Sequence, residues 1–89
     1  MSEKNPNWWM YVLECDDGTL YTGVAIDPDK RLAAHNAGKG AKYVRSRLPA
    51  RMLVQWKYFS QGEALRAENA FKNMRRPAKL KAINGDLLP

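Results

Sequence analysis

Two tyrosines ten positions apart, Tyr11 and Tyr21, could supply phenol groups for proton transfer in one active site. They lie on either side of Asp16-Asp17-Gly18, a stretch that is typical of a tight turn between two strands. Two phenols can act together only if both side chains point to the same face of the sheet. Each also has an ordinary interpretation, because aromatic residues are common in strands.

The length of this turn decides whether the tyrosines share a face. A two-residue turn at the Asp-Gly pair aligns Tyr21 with Glu14 and places Tyr11 on the opposite face. A three-residue loop over residues 16–18 aligns Tyr21 with Leu13, and both tyrosines then point the same way. The residues alone leave both loops open, and a shared site requires the second.

Three further polar side chains could complete such a site. Arg31 and His35 are four residues apart in a predicted helix and therefore share one of its faces. Glu68 neighbours Ala64 at the edge of an apolar stripe, so we expect it to be partly buried where a helix meets the sheet. Ordinary alternatives stay open. Arg31 could be a solvated base, His35 a cation favoured by the last turn of its helix, and Glu68 one half of an i,i+4 ion pair with Lys72.

The elements that position these side chains form an α+β pattern, in the order ββα(α)βαα. We expect a small three-stranded, mainly antiparallel sheet flanked by helices, in one domain over residues 1–89 with a core from about 8 to 84. Asp27-Pro28 has the residue types that begin a helix, and Gly38 suits its end. Strands are predicted over residues 10–15, 19–25 and 50–59, and helices over 27–37, within 38–48, 62–74 and 77–84. Packing in the core or at a sheet edge is expected for Trp8, Trp9, Trp56 and Phe59.

Positive charge is concentrated in the middle of the chain, whose net charge is +6. Residues 30–62 contain no acidic residue and carry eight bases: Lys30, Arg31, Lys39, Lys42, Arg45, Arg47, Arg51 and Lys57. Such a block favours a polyanionic partner such as nucleic acid. A solvated basic face without a partner is the alternative.

Nothing in the sequence indicates export or membrane insertion. The first residues are polar, and the apolar stretch WWMYVL is too short to span a bilayer. Cys15 is the only cysteine, so it can form neither an internal disulfide nor a cysteine metal site. We therefore expect a cytoplasmic protein.

The set of motifs resembles the GIY-YIG nuclease superfamily. Trp9-Met10-Tyr11 and Tyr21-Thr22-Gly23 are similar to its paired motifs, and Arg31 and Glu68 match the rest of its signature. The runs GKGAKYVRSR and ALRAE resemble those of its small single-domain bacterial members. The chain has Trp9 where the family has glycine, Thr22 where it has isoleucine, and Val24 where excision-repair members carry lysine. None of these departures removes a side chain with an implied role.

The resemblance implies an endonuclease that hydrolyses phosphodiester bonds with one divalent ion, magnesium (Mg²⁺) or manganese (Mn²⁺). It implies Tyr21 or Tyr11 as the base, Arg31 as the phosphate contact and Glu68 as the metal ligand, with His35 orienting the base or sharing protons with it. Because only about one free tyrosine in a thousand is ionised at pH 7, most of the acceleration must come from charge stabilisation at the phosphate. A single carboxylate suits magnesium, which keeps most of its waters.

The implied substrate is DNA, and RNA fits the charge equally well. Four bases that follow the Arg31 helix are expected to line the path of the backbone: Lys39, Lys42, Arg45 and Arg47. Tyr43 could stack on a nucleobase or pack in the core. No element reads as a base-specific helix, so we expect selectivity for nucleic-acid structure rather than for sequence. A weakly catalytic or non-catalytic binding module and an adaptor to a repair complex remain as alternatives, and the oligomeric state is open.

Overall fold

The computed structural model describes residues 7–85, and within that range the element order is the predicted one. The first half contains β1 (Trp8–Glu14), β2 (Leu20–Ala25), α1 (Pro28–Asn36) and α2 (Lys42–Arg45). The second half contains β3 (Arg51–Tyr58), α3 (Gln61–Lys72) and α4 (Arg76–Ile83). The expectation of a leaderless amino terminus falls mainly on residues 1–6, which lie outside the described residues, as do the last four positions of the predicted domain.

The sheet is antiparallel throughout, in the order β2-β1-β3, and its register confirms the three-residue loop. Leu13 is opposite Tyr21, and the backbone N–H of Cys15 donates to the carbonyl of Thr19 at 2.9 Å. Gly18 has φ +85°, a conformation that glycine adopts without steric cost. The two-residue turn is therefore wrong, and Tyr11 and Tyr21 share a face.

The central strand β1 separates two layers of core. Tyr11 and Leu13 face the layer that contains Val44 of α2. Met10 and Val12 face the other layer, which contains Phe71 of α3 and Ala82 of α4. All the candidate residues of β1, β2 and α1 consequently meet on one side of the sheet.

Helix α1 is held over that side at both ends. The side chain of Asp27 accepts a hydrogen bond from the backbone N–H of Lys30 at 3.1 Å, which confirms the predicted N-cap. At the other end, the Asn36 amide pairs with the backbone of Ala50: its Nδ2 donates at 3.0 Å, and its Oδ1 accepts at 2.8 Å. These contacts set where Arg31 and His35 stand relative to the strands.

Trp56 in β3 and Phe59 just after this strand differ in their burial. Trp56 packs against Phe71 with ring centroids 5.8 Å apart, as expected for a core residue. Phe59 is 84% exposed, so its predicted packing is wrong. It follows the end of β3, where Ser60 and Glu63 cap α3, and this cap directs the chain away from the core.

Among residues 7–85, no helix has the length and apolar character needed to cross a membrane.

Candidate active site

Tyr11 lies in the central strand with only 1% of its surface exposed, and its ring crosses the neighbouring strand at Gly23. A Cβ atom at Gly23 would lie 2.5 Å from the Tyr11 hydroxyl oxygen and 2.7 Å from Cζ. Any side chain at this position would therefore occupy the space of the phenol. The glycine of the second motif is required for this close approach rather than for a turn.

Tyr21 stands beside Tyr11 on the edge strand β2. The two ring centroids are 6.4 Å apart at an interplanar angle of 48°. Tyr21 is only partly buried, whereas Tyr11 is enclosed. The two phenols therefore share one site but differ in their access to solvent.

His35 completes an aromatic cluster with the two tyrosines. Its ring centroid is 5.4 Å from that of Tyr21, and its Nε2 lies 3.2 Å from the Tyr11 hydroxyl oxygen. The imidazole is 1% exposed, so its interpretation as a surface cation at a helix end is wrong. Burial, followed by the positive charge of Arg31, lowers the pKa of His35 below 6.5. The ring is therefore neutral at pH 7.

Arg31 of α1 affects the Tyr11 phenol electrostatically. Burial first, and then the neighbouring Tyr21, raise the pKa of Tyr11 above 10.0. The Arg31 guanidinium acts in the opposite direction, and Glu68 adds a smaller upward effect. Because the net shift is upward, Tyr11 is a neutral phenol at physiological pH.

Glu68 of α3 satisfies both sequence expectations. Its side chain is 18% exposed, and its Oε2 lies 3.1 Å from Nζ of Lys72, the i,i+4 partner. Its effect on the pKa of Tyr11 shows that the carboxylate is within electrostatic range of the phenol. In the described part of the chain, no three His, Cys, Asp or Glu residues cluster as a metal-ligand set. A metal site at Glu68 would therefore have at most two protein ligands of these types, and one or two carboxylates are compatible with magnesium.

The basic residues around α2 are of two kinds. Lys39, Lys42 and Arg45 are exposed, as a nucleic-acid contact requires. Arg47 is partly exposed and is bound by neighbouring groups: its Nε donates to the Asp17 carboxylate at 3.1 Å. Its Nη1 donates to the carbonyl of residue 43 at 2.8 Å. We therefore expect a structural role for Arg47 rather than the predicted phosphate contact.

Tyr43 forms the outer wall of the aromatic cluster. Its ring stacks on Tyr21 with centroids 6.2 Å apart and an interplanar angle of 24°. The guanidinium of Arg47 lies 4.0 Å from the centroid of the same ring. Although the ring is 43% exposed, it packs against the candidate site. Because Arg47 also donates to Asp17, these contacts connect α2 to the turn between β1 and β2.

Sequence reasoning missed the loop that encloses His35. The backbone N–H of Ala41 donates to Nδ1 of His35 at 3.2 Å. A Cβ atom at Gly40 would lie 2.6 Å from Cγ of the imidazole. The available signal was the pair of glycines in GKG directly after the histidine helix, which indicated a loop but not its target.

A shallow pocket of about 440 Å³ opens beside Arg31, outside the tyrosine cluster. Its lining combines apolar side chains with two cations and one carboxylate and consists of Ala25, Ile26, Asp27, Lys30, Arg31 and Ala34. This combination suits one sugar-phosphate unit of a nucleic acid.

Comparison with known proteins agrees with this geometry. Residues 7–81 match the family model described as the GIY-YIG catalytic domain. A UPF0213 protein of Streptococcus agalactiae is 56% identical over 75 residues, which cover 84% of this chain and 85% of that protein.

Two solution NMR structures share the fold. The UPF0213 protein BH0048 from Bacillus halodurans is 41% identical, with a TM-score of 0.59, and the match covers 93% of this chain and 88% of the other. The protein EF2693 from E. faecalis is 38% identical, with a TM-score of 0.61 and coverage of 89% and 84%. The sheet and its helices are therefore those of a set of small bacterial proteins.

Proposed function

Because the chain belongs to the GIY-YIG catalytic domain family, a nuclease family, we propose that it is a divalent-metal-dependent endonuclease that hydrolyses phosphodiester bonds in DNA. The observation that carries the proposal is the convergence of Tyr11, Tyr21, Arg31 and His35 on one face of the sheet, within electrostatic range of Glu68. These are the side chains that the family signature implies, and they come from four different elements.

Tyr21 is the better candidate for the general base. Tyr11 is enclosed, its pKa is raised, and its oxygen already contacts Nε2 of His35. Tyr21 is partly exposed on the edge strand, where its phenol can meet a water molecule. Arg31 is exposed and can hold the charge that develops on the phosphate during hydrolysis. A positioned base accelerates a reaction by about 10² to 10⁴, so this charge stabilisation must supply much of the remaining rate acceleration.

Glu68 is the residue that would hold the divalent ion, Mg²⁺ or Mn²⁺. Its carboxylate is partly buried and within electrostatic range of Tyr11, and its contact with Lys72 is a partly exposed ion pair that an ion can replace. When bound, one such ion supplies a Lewis acid that polarises a phosphoryl oxygen. Lys72 orients the carboxylate until then.

The exposed bases after α1 suit a nucleic-acid backbone. Lys39, Lys42 and Arg45 follow Arg31 in the chain, and a pocket beside Arg31 can receive one sugar-phosphate unit. No element in residues 7–85 presents a base-reading helix, so the proposed selectivity is for DNA structure. Family membership is the only ground for proposing DNA rather than RNA as the substrate. A cytoplasmic location belongs to the same proposal, since the single thiol, Cys15, is free and buried.

The direct test is cleavage of plasmid, single-stranded and branched DNA, and of matched RNA, with Mg²⁺ or with a chelator. Glu68→Gln and Tyr21→Phe should each lower the rate by about 100-fold or more and leave binding nearly intact. Tyr58→Phe is the matched control, because Tyr58 packs on the opposite face of the sheet. It should cut like the wild-type protein.

Each alternative has its own outcome. Salt-sensitive binding without cleavage of any substrate would indicate a binding module instead of a nuclease. Cleavage of RNA in preference to DNA would change the proposed substrate to RNA and leave the proposed phosphodiester hydrolysis unchanged. Equal losses in Tyr21→Phe and Tyr58→Phe would show that the phenol of Tyr21 has no special role.

A further inference from the structure

The two ring nitrogens of His35 have different hydrogen-bond partners. One of these partners can only donate, and it therefore makes its ring nitrogen an acceptor. The partner of Nδ1 is the backbone N–H of Ala41, at 3.2 Å. A backbone amide can only donate, so Nδ1 must present its lone pair. A protonated Nδ1 would direct its hydrogen against the amide hydrogen of Ala41.

A neutral imidazole carries one proton, which must then be on Nε2. The partner of Nε2 is the Tyr11 hydroxyl oxygen, at 3.2 Å. We infer that His35 is a positioning residue that donates a fixed hydrogen bond from Nε2 to Tyr11, and that the loop after α1 holds it in this tautomer. His35 therefore does not carry protons to or from the reacting groups.

The loop is built to enclose the imidazole. Two backbone hydrogen bonds close it onto the end of α1: Gly38 N–H donates to the His35 carbonyl and Lys39 N–H to the Ala34 carbonyl, each at 2.9 Å. Gly40 then passes so close to the ring that a Cβ atom would overlap it. The amide of the next residue is thereby directed at Nδ1. With 1% of its surface exposed, the ring has little contact with water that could exchange its proton.

The fixed donor has a consequence for Tyr11. The phenol oxygen accepts a hydrogen bond from Nε2 of His35, so its own proton cannot point at that nitrogen. The hydroxyl proton is then left to donate to a different partner. Under the proposed function, on which this step rests, Tyr11 would give that hydrogen bond to a phosphate oxygen or to the attacking water.

The tautomer can be measured without any activity. His35 is the only histidine in the chain, so the imidazole nitrogens of uniformly ¹⁵N-labelled protein need no further assignment. We expect a protonated Nε2 and a pyridine-like Nδ1 at pH 7. A protonated Nδ1, an imidazolium or a rapid mixture of tautomers would overturn the inference, whether or not the protein cuts DNA. The proposed function can therefore fail without affecting this result.

Activity gives an independent readout through rescue. In His35→Gln the side-chain amide can donate from a position near that of Nε2, but it cannot shuttle a proton as imidazole does. We expect His35→Gln to keep kcat/KM within about fivefold of wild type, and His35→Ala to lose on the order of 10- to 100-fold. Thermal unfolding of both variants identifies any loss that comes from misfolding. Equal, large losses in two folded variants would indicate proton transfer by the imidazole and contradict the fixed-donor role.

Discussion

The Gly23→Ala substitution adds one methyl group at the point where the Tyr11 ring crosses β2. The new carbon would lie 2.5 Å from the Tyr11 hydroxyl oxygen and 2.7 Å from Cζ. Non-bonded heavy atoms normally approach to about 3.5–4.0 Å, so the ring or the strand must move by about 1 Å. Neither can move freely, because Tyr11 is enclosed and Gly23 is paired with it in the sheet.

The cost can be worked from two effects. Overpacking a dense core costs about 1–3 kcal/mol. A 1 Å displacement also breaks the 3.2 Å contact between Tyr11 and His35, and a lost hydrogen bond costs about 0.5–1.5 kcal/mol. We expect a total of about 2–4 kcal/mol, which lowers the melting temperature of a domain of this size by roughly 10 °C or more.

Gly62→Ala is the matched control. At Gly62, in the first turn of α3, the nearest atoms to a new Cβ are Nη1 of Arg66 at 3.6 Å and Oγ of Ser60 at 4.0 Å. A glycine in a helix with free space gains about 0.4–1 kcal/mol when it becomes alanine. The same chemical change should therefore raise the melting temperature at one site and lower it at the other.

Thermal unfolding followed by circular dichroism measures both variants, and the His35 ¹⁵N shifts report the local effect. Gly23→Ala and Tyr11→Phe should be less than additive when combined, because both act through the same phenol oxygen. A Gly23→Ala protein that melts within 2 °C or so of wild type, with unchanged His35 shifts, would refute the crossing of the Tyr11 ring over Gly23.

Three further predictions concern the metal site, pH and the basic surface. Lys72→Met should lower the Mg²⁺ concentration for half-maximal cleavage by about 1.5- to 5-fold, because an ion pair worth roughly 0.2–1 kcal/mol no longer competes for Glu68. An unchanged Mg²⁺ requirement would contradict this competition. The pKa of His35 is lowered on folding, so the unfolded state binds more protons just below pH 6.5. Stability in urea should therefore fall as pH decreases through this window, by at most about 1.4 kcal/mol per pH unit. His35→Asn should lack that component, and equal slopes would count against the buried neutral ring. Arg45→Ala should reduce the salt slope of duplex binding by about 0.9, whereas Arg47→Ala should mainly lower the melting temperature. The opposite pattern would show that Arg47 contacts phosphate.

Much of the fold could be predicted from local chemistry. Asp27 before Pro28 marked the start of α1, and the apolar stripe that contains Phe71 marked α3, because capping and helical periodicity act within a few residues. The candidate side chains could also be named in advance, since their types are restricted by the chemistry. What could not be predicted was which of them lie together.

Two features depended on the tertiary structure. Local turn chemistry allows both loops at residues 16–18. The three-residue form prevails with a register that places Tyr21 in the core layer of Tyr11 and Leu13, and Leu20 in the layer of Met10 and Val12. Phe59 has an apolar side chain of the kind common in cores, but it follows the end of β3, where the cap of α3 directs it to solvent.

The sequence by itself determined the order of the elements, the positive charge of the middle segment and the set of side chains available for chemistry. Only the tertiary structure decided what those side chains do. It buried His35 beside Tyr11, 24 residues away, and it engaged Arg47 with Asp17, 30 residues away. The reason is physical: the protonation state of a histidine and the freedom of an arginine depend on neighbours that the fold brings together, and residue type does not encode them.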